Sequence, residues 1–302
     1  MVDGALVFTA VTEGMPHARP SAWHHKCWLW KNRQLLQPVG CLLIVGESVA
    51  CWRGRSNRWM WSGGHCVPPG LCLDTMNRFD PGAMLSFDLE TTSANPLEAR
   101  IVTSALVTIS GGTSQAYEML ADPGVEIPEQ ASEVHGITTE YAREHGRDHE
   151  SVLRETIEKI YAGWEAGLTL IVFNAAYDLT VLRKLSGDFV VEGPVVDPFV
   201  IDKALDPYRK GRRNLSSMCE HYGVRIDNAH EATADALASA RIAWKQAKCF
   251  PQELVGVDSD DLMTNQAVWH QQSVTKLQQY FASKGQDTTN FDTGWPLHSA
   301  LT

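Results

Sequence analysis

Hydrophobic and polar positions alternate in LSFDLETT, residues 85 to 92, with Leu85, Phe87 and Leu89 on one side and Ser86, Asp88 and Glu90 on the other. A period of two is that of a β-strand, whose successive side chains point to opposite faces. RIVTSALVTI at 100 to 109 and SQAYEMLA at 114 to 121 predict a second and a third strand. The SGG at 110 to 112 supplies a turn, so the three strands form an antiparallel meander. DPGVEIPEQASEVHGIT reads as a loop, after which the period becomes helical from about 149 to 166, with Val152, Ile157, Ile160 and Tyr161 near one face. LTLIVFN at 168 to 174 is an unbroken apolar run and predicts a buried strand. AAYDLTVLRKLSG at 175 to 187 predicts a helix closed by Gly187, and GPVVDP at 193 to 198 a short strand. NLSSMCEHYGV reads as a helix ended at Gly223, and EATADALASARIAWKQAKC as a long Ala-rich helix. The order β-β-β-α-β-α-β-α-α places the chain in the α/β class, as a mixed sheet flanked by helices. Beyond it, Leu262, Trp269, Leu277 and Tyr280 suggest an amphipathic helix within 257 to 283 that packs back on the domain or meets a partner. GQDTTNFDTGWPLHSALT reads as a mostly irregular tail.

Residues 1 to 80 follow a different pattern. They hold six of the ten tryptophans and five of the seven cysteines, with little periodicity outside VGCLLIV. They also carry eight Lys and Arg against five Asp and Glu, leaving 18 against 31 in residues 81 to 302. This N-terminal extension is read as irregular and poorly ordered, or as the product of an upstream start with Met76 as the natural one. Zinc ligation by His24, His25, Cys27, His65, Cys66 and Cys72 is disfavoured, because no Cys-x-x-Cys knuckle is present and the spacings fit no common site. Seven unevenly spread cysteines fit reduced thiols, and no apolar run approaches the roughly 20 residues of a membrane span. With no signal-peptide pattern either, the expected location is the cytoplasm, with no membrane partner. The 302 residues, 44% hydrophobic and 21% charged, are enough to bury a sizeable core. A net charge of -10 excludes nucleic-acid binding by bulk electrostatics, yet leaves room for metal-assisted handling of a nucleic-acid end.

Asp88 and Glu90, two residues apart, share one strand face about 7 Å apart. Alone they read as the wet side of an amphipathic strand. Asp178 lies one turn into the helix after the buried strand, where the helix dipole alone would explain an acid. Asp235 sits early in the Ala-rich helix, whose small residues permit close approach to the sheet and draw the acid inward. Burying an isolated carboxylate costs several kcal/mol, so converging acids of this kind fit an all-oxygen site for Mg2+ or Mn2+.

In order and spacing, FDLET with Asp88 and Glu90, FNAAYD with Asp178, and HEATAD with His230 and Asp235 resemble the three motifs of the DEDDh 3'-5' exonucleases. Within that family they look most like the proofreading subunits of bacterial DNA polymerase III, a branch that EVHGIT at 133 to 138 also suggests. The resemblance covers about 84 to 248. It implies an RNase H-like fold, a mixed five-stranded sheet flanked by helices, and it divides the chain into the 1–80 extension, an exonuclease domain at 81–250 and a C-terminal helix and tail at 251–302. One departure is Phe173, where many relatives have His; it bears on substrate subtype.

Two divalent ions about 3.5 to 4 Å apart can stabilise the charge that develops when a phosphodiester is hydrolysed. Asp88, Glu90 and Asp235 are the expected ligands of the first ion; the second is expected to be held chiefly by Asp88 and substrate phosphate, with Asp178 acting through water or directly. His230 suits the general base, since imidazole titrates near neutrality. Glu231 occupies the position that holds Tyr in the Tyr-type branch, which favours the His assignment. Thr91 and Asn174 are candidates for positioning the terminal nucleotide, His135 for contacting substrate or bracing its own loop, and RKGRR at 209 to 213 is either a phosphate contact or a solvated loop. The expected activity is metal-dependent release of nucleotides from the 3' end of single-stranded DNA, in proofreading or repair, with a polymerase subunit as a partner. Its alternatives are the same chemistry on RNA, or a catalytically silent nucleic-acid-binding module.

Overall fold

In the computed structural model the alternation at 84 to 91 becomes the centre of a sheet. Residues 78–225 and 231–301 are described, together with the backbone of 26–31, 38–45 and 48–52. The chain divides into two units, Met1–Asp74 and Thr75–Thr302. In the first, β1 (Lys26–Lys31), β2 (Pro38–Val45) and β3 (Ser48–Trp52) form an antiparallel sheet in the order β1-β2-β3. The sequence pattern marked β2 alone. The zinc-ligand candidates at 24, 25, 65, 66 and 72 and the start at Met76 lie outside the described residues.

The second unit opens with β4 (Ala83–Thr91), β5 (Ile101–Ser110) and β6 (Thr113–Asp122). Ser110 pairs with Thr113 across Gly111 and Gly112, both at positive φ, which is the two-residue hairpin turn that matches strand twist. Next come α1 (Glu129–His135), α2 (Thr139–His145), β7 (Arg147–Asp148), α3 (His149–Glu165), β8 (Thr169–Val172) and α4 (Ala175–Ser186). Then follow β9 (Val195–Val196), α5 (Pro198–Leu205), α6 (Leu215–Tyr222), α7 (Ala232–Cys249), α8 (Pro251–Leu254) and α9 (Ser259–Ser283). The sheet order is β7-β6-β5-β4-β8-β9, with β4 parallel to β8 and antiparallel to β5. The mixed sheet is the one expected, with six strands in place of five because the two-residue β7 is added at one edge.

Both faces of β4 are covered. Leu85, Phe87 and Leu89 join a core with Val152, Leu153 and Ile160 of α3 and Leu179, Val181 and Leu182 of α4. On the other face Met84 packs with Ala240, Ala243 and Ala247 of α7, and Ser86 donates through its hydroxyl to the Ala236 carbonyl at 2.6 Å. Alanines at 232, 236, 238, 240, 243 and 247 are buried along α7, which brings this helix close to the strand. The sequence pattern misses four helices, among them the four-residue α8. α1 and α2, seven residues each, lie where a loop was expected, and α5 follows the Asp197-Pro198 cap and N1 pair. The tail is irregular apart from a turn of 3-10 helix at Ser299–Leu301, yet Trp295 within it is 8% exposed and joins the first core. Among the described residues no helix is long and apolar enough to cross a membrane.

Candidate active site

The β4–β8 ladder ends at Phe87↔Val172. Past that point the Leu89 backbone N–H donates instead to Asp178 Oδ1, at 3.1 Å. The first turn of α4 therefore closes over the C-terminal end of β4, the end where open α/β sheets form their crevices. From the opposite face, the Ser86–Ala236 hydrogen bond holds the first turn of α7 against the same strand, placing Asp235 beside Glu90. One carboxylate oxygen each from Asp88, Glu90 and Asp235 lie within 4.8 Å of one another. Asp178, 4% exposed, lines the same cleft of about 560 Å³, as does Asp235 at 9%.

Carboxylates this close cannot all ionise cheaply without a cation. Burial pushes the Asp88 carboxyl well above the usual range, and Asp178, Glu90 and Asp235 add to the push. Glu90 is raised to about 7, by burial first and by Asp235 second. Burial raises Asp178 as well, although the Leu89 N–H opposes the shift. A hard, all-oxygen set that repels itself fits a divalent cation.

Asn174, between β8 and α4, lines the cleft with φ 62° and ψ 52°, a left-handed backbone uncommon outside glycine. Asp197 holds it there. The Asn174 N–H donates to Asp197 Oδ1 at 3.0 Å and the Ala175 N–H to Oδ2 at 2.9 Å. The same carboxylate caps α5 through Phe199 N–H and accepts the indole N–H of Trp295 at 3.2 Å. Gln266 of α9 accepts from the Asp197 N–H at 2.7 Å. A tail thus reaches the turn that aims Asp178, and it also holds α4 directly, because the His298 N–H donates to Thr180 Oγ1 at 2.8 Å.

The other expected residues are more dispersed. Thr91 stands beside the cleft without lining it, its hydroxyl hydrogen-bonded to Tyr177, which does line it and also bonds the Ser93 carbonyl. His135, at the end of α1, is outside the lining; its Nδ1 accepts from Ile137 N–H and its buried Nε2 has no partner. His230 lies outside the described residues. Four lining residues carry no mark as site candidates in the sequence: Leu89, Tyr177, Phe199 and Asn214. The rings of Phe173 and Phe199 sit 5.6 Å apart at 52°. Phe199 follows a proline in a short helix and Tyr177 borders a marked acid, so neither carried a signal of its own; Arg213 belonged to the marked RKGRR run.

Residues 85–243 match the model of the RNase_T family, described as exonuclease. The chain belongs to the RNase_T exonuclease family. All four clustered acids fall inside that match. The exonuclease domain is 26% identical over 166 residues to the PolC-type DNA polymerase III of Halalkalibacterium halodurans, covering 54% of this chain and 11% of that protein. For the PolC-type DNA polymerase III of Listeria monocytogenes the figures are 27% over 184 residues, 59% and 12%. The matched stretch is therefore about a tenth of these curated relatives' length. Among solved structures, the zinc-bound E. coli ExoI–ssDNA complex is similar at a TM-score of 0.46 and 18% identity, over 57% of this chain and 41% of that one.

Proposed function

We propose that this exonuclease domain hydrolyses single-stranded DNA from its 3' end, one nucleotide at a time, in the cytoplasm and in the setting of replication or repair. The observation that carries the proposal is the convergence of Asp88, Glu90 and Asp235 within 4.8 Å at the end of β4, with Asp178 beside them. Membership of the exonuclease family supports the reaction. The likeness to PolC-type polymerases supports DNA as substrate and a polymerase as partner.

In this reading Asp88, Glu90 and Asp235 would hold a divalent ion, and Asp88 with Asp178, directly or through water, would help to hold a second. Mg2+ or Mn2+ bound there would polarise the phosphate and acidify an attacking water. His230, five residues before Asp235, would serve as general base toward the attacking water. Asn174 positions the terminal nucleotide from its constrained turn, and Thr91 does so through Tyr177. His135 braces its own loop.

The test is release of mononucleotides from end-labelled DNA and RNA oligomers by the full chain with Mg2+ or Mn2+. DNA is expected to be the better substrate. Asp88→Ala should abolish release while leaving thermal unfolding of the metal-free protein unchanged or improved. His230→Ala should keep the calorimetric Mn2+ signal and lose about 10^2 to 10^4 of the rate. No release from either polymer, or no Mn2+ heat from the unaltered chain, overturns the reading.

A further inference from the structure

The connection between α5 and α6, residues 206 to 214, carries a tyrosine and four cations in the order Tyr208-Arg209-Lys210-Gly211-Arg212-Arg213. The structure sorts them into two sets. Arg209 and Arg213 turn inward onto one carboxylate: Arg209 Nε and Nη2 donate to Asp202 Oδ2 at 3.2 and 3.0 Å, and Arg213 Nε donates at 2.7 Å. Asp202 is fully buried on α5, and its other oxygen accepts from the Tyr222 hydroxyl of α6 at 2.9 Å. Arg213 Nη2 also reaches the Asp206 carbonyl at 2.7 Å, and Arg209 Nη1 the Arg212 carbonyl at 3.1 Å. Both ends of the loop are thereby tied, and Gly211, at φ 97°, makes the reversal between them. The remaining side chains face solvent: Lys210 and Arg212 are exposed, and Tyr208 is 93% exposed.

A tyrosine held out in water on an anchored loop gains nothing for the core. Its ring offers a stacking face, and flanking cations neutralise phosphates; together these are the two components of single-strand binding. The loop is also continuous with the acidic cleft, since Arg213 and Asn214 line it. Its positive charge stands out in a stretch, residues 81 to 302, with 18 Lys and Arg against 31 Asp and Glu. We propose that Tyr208, Lys210 and Arg212 form a guide for single-stranded DNA upstream of the 3' end, with Tyr208 stacking on an unpaired base and the two cations taking backbone phosphates. This rests on the exonuclease reading for which end of the strand enters the cleft. Arg213 is the hinge of the arrangement, fixing the loop while bordering the carboxylates.

The test uses the full chain and two probes. A 20-nucleotide oligothymidylate, bound in EDTA and followed by fluorescence anisotropy, reads the guide without any hydrolysis. The p-nitrophenyl ester of thymidine 5'-monophosphate, hydrolysed with Mn2+, reads the carboxylate centre without an upstream strand. Tyr208→Ala should weaken oligomer binding at least about fivefold, the lower end for loss of one stacked base, with Tyr208→Phe restoring it. Lys210→Ala with Arg212→Ala should flatten the log Kd against log salt slope by about 1.4, for two phosphates on a single strand. Ester hydrolysis should be unchanged in all three variants. Unaltered oligothymidylate binding overturns the guide, as does a loss confined to an oligouridylate control or a matching fall in ester hydrolysis. An unaltered chain that binds the oligomer through Tyr208 but cleaves neither probe would leave the guide standing and remove the exonuclease reading.

Discussion

Glu90 shows what four crowded carboxylates do to the metal-free protein. Its ordinary value is 4.5 and the folded chain raises it to about 7. Between those two pH values the folded form keeps a proton that the unfolded chain has released, so the stabilisation from Glu90 is complete below 4.5 and is lost as pH rises through about 7. Metal-free protein should therefore melt at a falling temperature across that window, and Glu90→Gln should flatten the fall. Added Mn2+ should raise the melting temperature more at pH 8 than at pH 5. Equal metal stabilisation at both, measured by differential scanning fluorimetry, would contradict this. The pairing of Asp88 with Glu90 was legible from alternation alone, because a period of two puts them on one face. Asp178 and Asp235 were legible as helix-start acids, but their meeting with the strand needed ordered motifs. Asp197 was not legible as a site residue, because its role needs the β8–α4 turn, α5 and the tail to meet on one carboxylate.

Among the elements, α7 packs closely on β4 through its buried alanines. Ser86 reaches the Ala236 carbonyl at 2.6 Å, and Ala236 is fully buried one residue after Asp235. Ala236→Leu adds three carbons where the helix touches β4, and overpacking of that kind costs about 1–3 kcal/mol. The denaturation midpoint should fall accordingly. Mn2+ affinity should fall as well, since displacing the first turn of α7 carries Asp235 away from Glu90; unchanged affinity would mean that the cluster tolerates this displacement. The Ala-rich pattern made α7 readable as a closely packed helix. α1 and α2 went unread because seven residues make two turns, too few for a helical period to separate from loop composition. β7 has two residues and pairs only with Ala121 and Asp122, so no sequence pattern could have marked it.

At the scale of the whole molecule, the contacts that steady the cleft come partly from outside the family match, which ends at residue 243. Trp295, Gln266 and the His298 backbone all act on Asp197 or Thr180. Trp295→Phe keeps most of the apolar contact and removes the indole N–H, so about 1–3 kcal/mol of stability should go, read by urea unfolding. An unchanged midpoint would show that Asp197 is held well enough by its other donors. The tail's composition pointed only to irregular chain, because its burial depends on docking against α4 and α5 and leaves no periodic trace.

That docking bears on how the catalytic segment is to be excised for study. A fragment cut at residue 243, where the family match ends, would retain every acid of the cluster, yet the left-handed turn at Asn174 would lose the indole that steadies its anchoring carboxylate. Such a fragment should prove soft around α4, with faster amide hydrogen exchange there than in one carried through Leu301.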